Sequence, residues 1–269
     1  MIPSLLAATI ILLIVWIAIR PSNERDWSPD QALLPWAEFQ GDQVTIRNIR
    51  NFTYASTTEY IPAYYDAVFD LKKIKSVDYV VEPFSAWAGS AHTFLTFGFA
   101  DQQYVSISIE IRKEKGERFS AWKGLFKQFE IMYVIADEQD VIKLRSNFRR
   151  DQIFLYPIKA APEKIAALFI DMLQGANRLK EQPEFYNTVT NTCATKIADH
   201  VNAVSPGRIP WSYKLIFPGY SDELAYQLGL IDTDLPFTAI RRQYQINDRA
   251  ERYADAPDFS VKIRQFAPE

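Results

Sequence analysis

Residues 91–112 read AHTFLTFGF, a short polar turn at Asp101 and Gln102, then YVSISIEIR. In the second half Val105, Ile107, Ile109 and Ile111 alternate with Tyr104, Ser106, Ser108 and Glu110. Successive side chains of a strand point to opposite faces. This spacing therefore predicts a half-buried strand with one apolar and one polar face, paired with its predecessor as a hairpin. A chain holding this hairpin is committed to an antiparallel sheet.

The flanking sequence extends that sheet and supplies its cover. VTIRNI (44–49), DAVFDL (66–71), VDYVV (77–81), IMYVIA (131–136) and QIFLYPI (152–158) read as further strands. EQDVIKLRSNF (138–148) reads as a helix with Val141, Leu144 and Phe148 on one face, and WKGLFKQF (122–129) as a short one. Residues 161–181 form the best helix signal. Pro162 suits its first turn, and Ile165, Leu168, Phe169, Met172 and Leu173 make its apolar stripe. Another helix is expected over 193–203. The aromatic share, 14%, is high and fits a β-rich core. The expected class is α+β, an antiparallel sheet with packed helices.

Residues 2–19 (IPSLLAATIILLIVWIAI) carry no charge, and Arg20 follows at once. A run of about 18 apolar residues can cross a hydrocarbon core. No Lys or Arg precedes it and no small-residue cleavage site follows, so an uncleaved anchor is favoured over a signal peptide. The expected organisation is an N-terminal transmembrane helix (1–20), a Pro- and Asp-rich tether (21–42), a main domain (43–235) and a C-terminal extension (236–269). Arg20 and Arg25 would weakly place the main domain in the cytoplasm.

Several chemistries are excluded early. Net charge is −3 with no strong basic patch, so no nucleic-acid partner is expected. One cysteine allows no internal disulfide. There is no CxxC or HExxH, and two histidines cannot make a three-histidine zinc site, so neither metal nor cofactor is expected. Glycine-rich phosphate loops and GxSxG are missing as well.

The lone cysteine, Cys193, lies in NTCATKIADH after Thr190, Asn191 and Thr192. Asn or Thr suits an N-cap, which puts Cys193 in a helix's first turn. The positive end of a helix lowers a thiol pKa, and its free N–H groups can hold an oxyanion. The bland alternative is a small buried residue on the stripe Cys193, Ile197, Val201 and Val204. His200 is seven residues on, about 10.5 Å along a helix, too far to serve as base. It is expected to cover the helix's last turn as a cation. His92, on the hairpin's first strand, is the other candidate. Its register puts it opposite residues 110–112, with Glu110 as acidic partner and Ser108 as diagonal neighbour, unless a one-residue slip intervenes.

His on an early strand, a polar partner on the next and Cys at a helix start resemble the circularly permuted papain-like fold. The segments VTIRNIRNFTY, SAWAGSAHTFLTFGFAD, VSISIEIRKEKGERFS, GLFKQFEIMYVIADEQDVIKLRSNFR and EFYNTVTNTCATKI resemble, more closely, the Lnb N-terminal periplasmic domain, a family linked to bacterial lipoprotein N-acyltransferases. The likeness runs from about residue 34 to about 232. It implies a cysteine acyltransferase or hydrolase on the periplasmic side of an inner membrane, acting on lipid or lipoprotein. That location overrides the arginine count. It implies Cys193 as nucleophile, His92 as base, Glu110 or Ser108 as its orienting group, and Asn191 and Thr192 in support. Family members usually place Asn directly before the cysteine, whereas Thr192 stands there here. The full-length acyltransferase also has a membrane portion after this domain, and no further hydrophobic span appears here. A cysteine peptidase or amidase of the envelope, and a non-catalytic anchored binding domain, remain open alternatives.

Overall fold

A computed structural model describes residues 16–266. The strands are β1 (Trp36–Gln40), β2 (Gln43–Arg50), β3 (Thr53–Tyr54), β4 (Tyr60–Ile61), β5 (Tyr64–Asp70), β6 (Ile74–Pro83), β7 (Ala91–Phe99), β8 (Tyr104–Arg112), β9 (Glu130–Ala136) and β10 (Phe154–Pro157). Eight of them form one sheet in the order β1-β2-β9-β8-β7-β6-β10, with β5 also on β2, while β3 and β4 pair separately. The pairings are antiparallel except for one parallel contact of β2 with β9 at Arg50 and Ala136. The helices are α1 (Glu138–Lys143), α2 (Pro162–Glu181), α3 (Cys193–Val204), α4 (Tyr213–Ile216), α5 (Ser221–Gln227), α6 (Phe237–Tyr244), α7 (Asn247–Arg252) and α8 (Phe259–Lys262). This is the α+β class expected from the sequence.

The period of two sorts the sheet's side chains into two cores. Leu95, Phe97, Ile107, Ile109, Ile131 and Tyr133 lie under α2 and α3, against Phe169, Met172 and Ile197. Phe94, Met132 and Val134 point the other way, against Val141 and Ile142 of α1 and Ile246, Ala250, Phe259 and Ile263 from the C-terminal helices. Both faces are covered. This corrects the half-buried reading of β8: Ser106 and Ser108 are fully buried. Alternation reports which side chains share a face, and the layer covering the polar face comes from α1 and from C-terminal helices more than 130 residues away.

The segment 122–129 also departs from expectation. It forms a single 3-10 turn, Lys123–Leu125. Lys127 adopts φ +56, a left-handed conformation that a helix cannot continue through. The expected membrane helix falls mostly outside the described residues. Among the described residues no helix is long and apolar enough to cross a membrane.

One irregularity positions the site. β6 stays paired with β7 to Pro83↔Ala91, and β8 with β9 to Arg112↔Glu130. Between them, the β7–β8 ladder ends at Phe94↔Ser108. The two strands part beyond that rung, opening the sheet at one end.

Candidate active site

The parting of β7 and β8 forms a cleft of about 260 Å³, lined by Ala91 and His92 on one side and Ile109, Glu110 and Ile111 on the other. Because the sheet is open there, groups from both faces reach the same space. Cys193 enters from the α3 face; Arg145 and Glu82 enter from the α1 face.

Extending the β7–β8 register past Phe94↔Ser108 sets His92 opposite Glu110. The two are joined through Ser108. His92 Nε2 lies 2.7 Å from Ser108 Oγ, and Ser108 Oγ donates to Glu110 Oε1 at 2.8 Å. The tautomer follows from the proton count. An ionised carboxylate only accepts, so the serine's single proton goes to Glu110 and Ser108 must accept from His92 Nε2–H. Nδ1 is then the basic nitrogen, and it makes no hydrogen bond among the described residues. Burial lowers the His92 pKa, with Glu110 opposing, so the ring is neutral near pH 7.

Arg145 organises the rest. It sits in a π-helical turn, Leu144–Phe148, that prolongs α1. Its Nε donates to Glu82 at 2.7 Å and its terminal nitrogen to Glu110 at 2.9 Å. Burial alone would raise the Glu110 pKa. The charges of Arg145 and Arg50 and the Ser108 hydrogen bond, with His92 once protonated, outweigh it and hold the carboxyl well below its usual range. Glu82 is raised by burial, against Arg145. Arg50 grips Asp140 of α1 with two 2.9 Å bonds and so fixes the helix that carries Arg145. Arg145, Arg149 and Glu82 are functional candidates that the sequence reading missed. Glu82 pairs directly with His92 across β6–β7, so register reasoning one strand earlier would have found it. For Arg145 and Arg149 the signal was an i, i+4 pair on one helix face.

Cys193 is the first residue of α3. Thr192 caps the helix, its hydroxyl accepting from Thr195 N–H while Thr195 Oγ1 accepts from Thr192 N–H. The Thr192 hydroxyl and N–H are thereby satisfied within the cap, and the Cys193 and Ala194 N–H groups of the first turn have no partner within the helix. Asn191 donates to Phe185 O at 2.7 Å, and its Oδ1 is buried without a hydrogen bond. The thiol's polar neighbours are Thr93 and the Ala194 N–H. No hydrogen bond joins it to His92. The helix start favours a depressed thiol pKa, yet the direction is upward: burial of Cys193 outweighs the Thr93 and Ala194 donors. The resting group is a neutral thiol.

On the other side of the α3 start lies an apolar cavity of about 240 Å³, lined by Tyr79, Leu95, Leu168, Ala194, Ile197 and Leu224 among others. The Cys193–Ala194 peptide thus borders both a charged cleft and an apolar chamber. His200 is apart from both. Its Nδ1 meets Asp171 of α2 at 2.5 Å and its Nε2 meets Tyr133 of β9 at 2.5 Å. Burial lowers its pKa. The cation at the last turn expected from sequence is instead a buried ring bridging three elements. Among the described residues no group of His, Cys, Asp and Glu is arranged to hold a metal.

A sequence-family model described as Lnb N-terminal periplasmic domain matches residues 60–219, more than half of the chain and all of the residues named for the cleft. The chain has no match among curated proteins and none among solved structures.

Proposed function

The chain belongs to the Lnb N-terminal periplasmic domain family, and from that membership we propose a membrane-anchored periplasmic thiol acyltransferase or hydrolase acting on lipid or lipoprotein acyl groups. The anchor in this reading is the apolar run within residues 1–20. The order of His92 on a strand before Cys193 at a helix start supports a permuted papain-like kinship. The observation that carries the reading is that Cys193 and a neutral, relayed His92 line one cleft. The apolar chamber beside Ala194 favours an acyl chain over a peptide.

In this mechanism Cys193 Sγ attacks an ester or amide carbonyl while its proton passes to His92 Nδ1. The new oxyanion is held by the Cys193 and Ala194 N–H groups. The intermediate collapses, the C–O or C–N bond breaks, and His92 returns the proton to the leaving group. A thioester remains. An amine or water then attacks it, giving a proton to His92. The C–S bond breaks and the thiol is restored. Glu110, through Ser108, holds the tautomer and stabilises the imidazolium. Arg145 keeps Glu110 ionised.

The test is incubation with a p-nitrophenyl ester of a long-chain fatty acid, followed by mass spectrometry of the Cys193 peptide. The expected result is one acyl adduct on Cys193, absent in Cys193→Ala and formed about 10²–10⁴-fold more slowly in His92→Ala. Unchanged kinetics in His92→Ala would sink the assigned base. The second reading, a non-catalytic anchored domain, is favoured by the raised thiol pKa and the missing Cys193–His92 hydrogen bond. It calls for no adduct at all.

A further inference from the structure

The end of the sheet that carries the cleft is ringed with exposed aromatic side chains. β6 ends and β7 begins there, as do β8 and β9, so the loops 84–90 and 113–129 both project from it. They expose Phe84, Trp87, Phe119, Trp122 and Phe126, with Trp122 71% and Trp87 55% accessible. Single exposed apolar residues are ordinary on a protein surface; a contiguous set is not. They meet in pairs along the rim. Phe84 packs edge-on to Phe119 at 6.3 Å, Trp122 to Phe126 at 5.2 Å, and Trp87 to Phe217 at 5.2 Å. Phe84 and Phe119 also line the cleft itself.

Two further observations say what covers this rim. The first is where the apolar run arrives. Its described end lies on the same face: Trp16 packs edge-on to Phe126 at 6.1 Å, and Lys127 Nζ donates to Trp16 O at 2.9 Å while lying over the Trp16 ring. Ile17 and Ile19 are exposed beside it. The second is charge. Segment 113–129 carries five cations (Lys113, Lys115, Arg118, Lys123, Lys127) against two acids (Glu114, Glu117), in a chain whose net charge is −3. Lys113 and Lys115 pair with Asp30 and Asp26, so the excess sits on Arg118, Lys123 and Lys127, beside the exposed aromatics. Aromatic side chains mixed with lysines are the composition of a surface seated among lipid headgroups.

We propose that this rim rests in the interface of an anionic bilayer, so that the cleft opens toward lipid rather than toward bulk water. An acyl donor would then reach Cys193 without crossing water. The inference rests on the membrane anchor in the functional reading above, but not on Cys193 chemistry.

The experiment uses the full chain in vesicles of phosphatidylethanolamine with phosphatidylglycerol. A nitroxide is placed at Trp122→Cys in a Cys193→Ser background, and a control at Lys72→Cys, at the sheet's opposite end and highly exposed. Flotation reports insertion of the anchor, and collision with oxygen against a water-soluble nickel chelate reports depth. The expected result is flotation, with a several-fold loss of nickel collision at position 122 relative to 72. That loss should shrink when phosphatidylcholine replaces the anionic lipid. A chain that floats while position 122 remains as nickel-accessible as position 72 overturns the docking and leaves the anchor standing. A chain that does not float overturns both. The Cys193 acylation assay is unaffected by either outcome, so failure of the chemistry and failure of the docking are read separately.

Discussion

At the scale of single residues, Ser108 is the most exacting position. It must accept from His92 and donate to Glu110 at once, and only a hydroxyl does both. Ser108→Ala leaves Glu110 on Arg145 but frees His92 Nε2, so Nδ1 is no longer held as the basic nitrogen. The expected outcome is a loss in Cys193 acylation on the order of 10²-fold, with an altered pH profile and partial rescue by Ser108→Thr. A purely structural serine would change the unfolding midpoint and leave the pH profile of acylation in place. This relay was largely legible beforehand. Period-two alternation and a short turn centred on residue 101 set His92 against residues 110–112, and the observed pairing, with residues 100–102 in the turn, places it opposite Glu110. The rest was not. The Arg145–Glu82 and Arg50–Asp140 pairs join residues 63 and 90 positions apart, and nothing in local spacing announces such a contact. The thiol's raised pKa was only half legible: the helix start argued for a lowered value and the apolar stripe for burial, and spacing does not weigh one against the other.

Between elements, the Tyr133–His200–Asp171 chain joins β9, α3 and α2. It packs so closely that a Cβ on Gly175 would come within 2.5 Å of the Tyr133 hydroxyl and 3.0 Å of His200 Cε1. Removing the ring in His200→Ala leaves a buried phenol and Asp171 without their partner. The expected loss of stability is about 2–3 kcal/mol, read from urea unfolding at pH 7.5. The pH dependence has a definite sign. Burial holds the folded pKa of His200 below its ordinary value of about 6.5. Above 6.5 the ring is neutral in both states. As pH falls below 6.5 the unfolded chain takes up the proton first, so stability drops until the folded pKa is passed. His92 contributes in the same direction. Wild type is therefore expected to lose stability on going from pH 7.5 to 5.5, and His200→Ala to show a shallower loss. An equal slope in the two proteins would remove His200 as the cause. The sequence located this helix and its stripe well. It misplaced the histidine's role because a helical wheel shows the face, but not which neighbours supply an acid and a phenol.

For the whole molecule, the question is what the C-terminal helices contribute. The family match ends at residue 219, yet α7 and α8, with Ile246 just before them, cover the sheet face that carries Phe94, Met132 and Val134. Ile246, Ala250, Phe259 and Ile263 are all fully buried there. The layer is also riveted electrostatically. Arg264 is paired with Asp78 of β6 at 2.9 Å and Glu138 of α1 at 2.6 Å, all three little exposed. Burial of Asp78 raises its carboxyl even with Arg264 beside it. Stripping one partner from such a cluster leaves charge buried and unpaired, which costs about 3–5 kcal/mol. The same face holds Ser108 and Glu110, so loss of this layer would let water reach the relay beneath His92. A chain ended at residue 235 is accordingly expected to lose cooperative unfolding, and Arg264→Ala to lower the urea midpoint by an amount matching that cost at an unchanged slope. If the shortened chain unfolded cooperatively at the wild-type midpoint, the sheet's second face would be self-sufficient. The segment after residue 235 would then be an accessory to the domain and not one of its two cores.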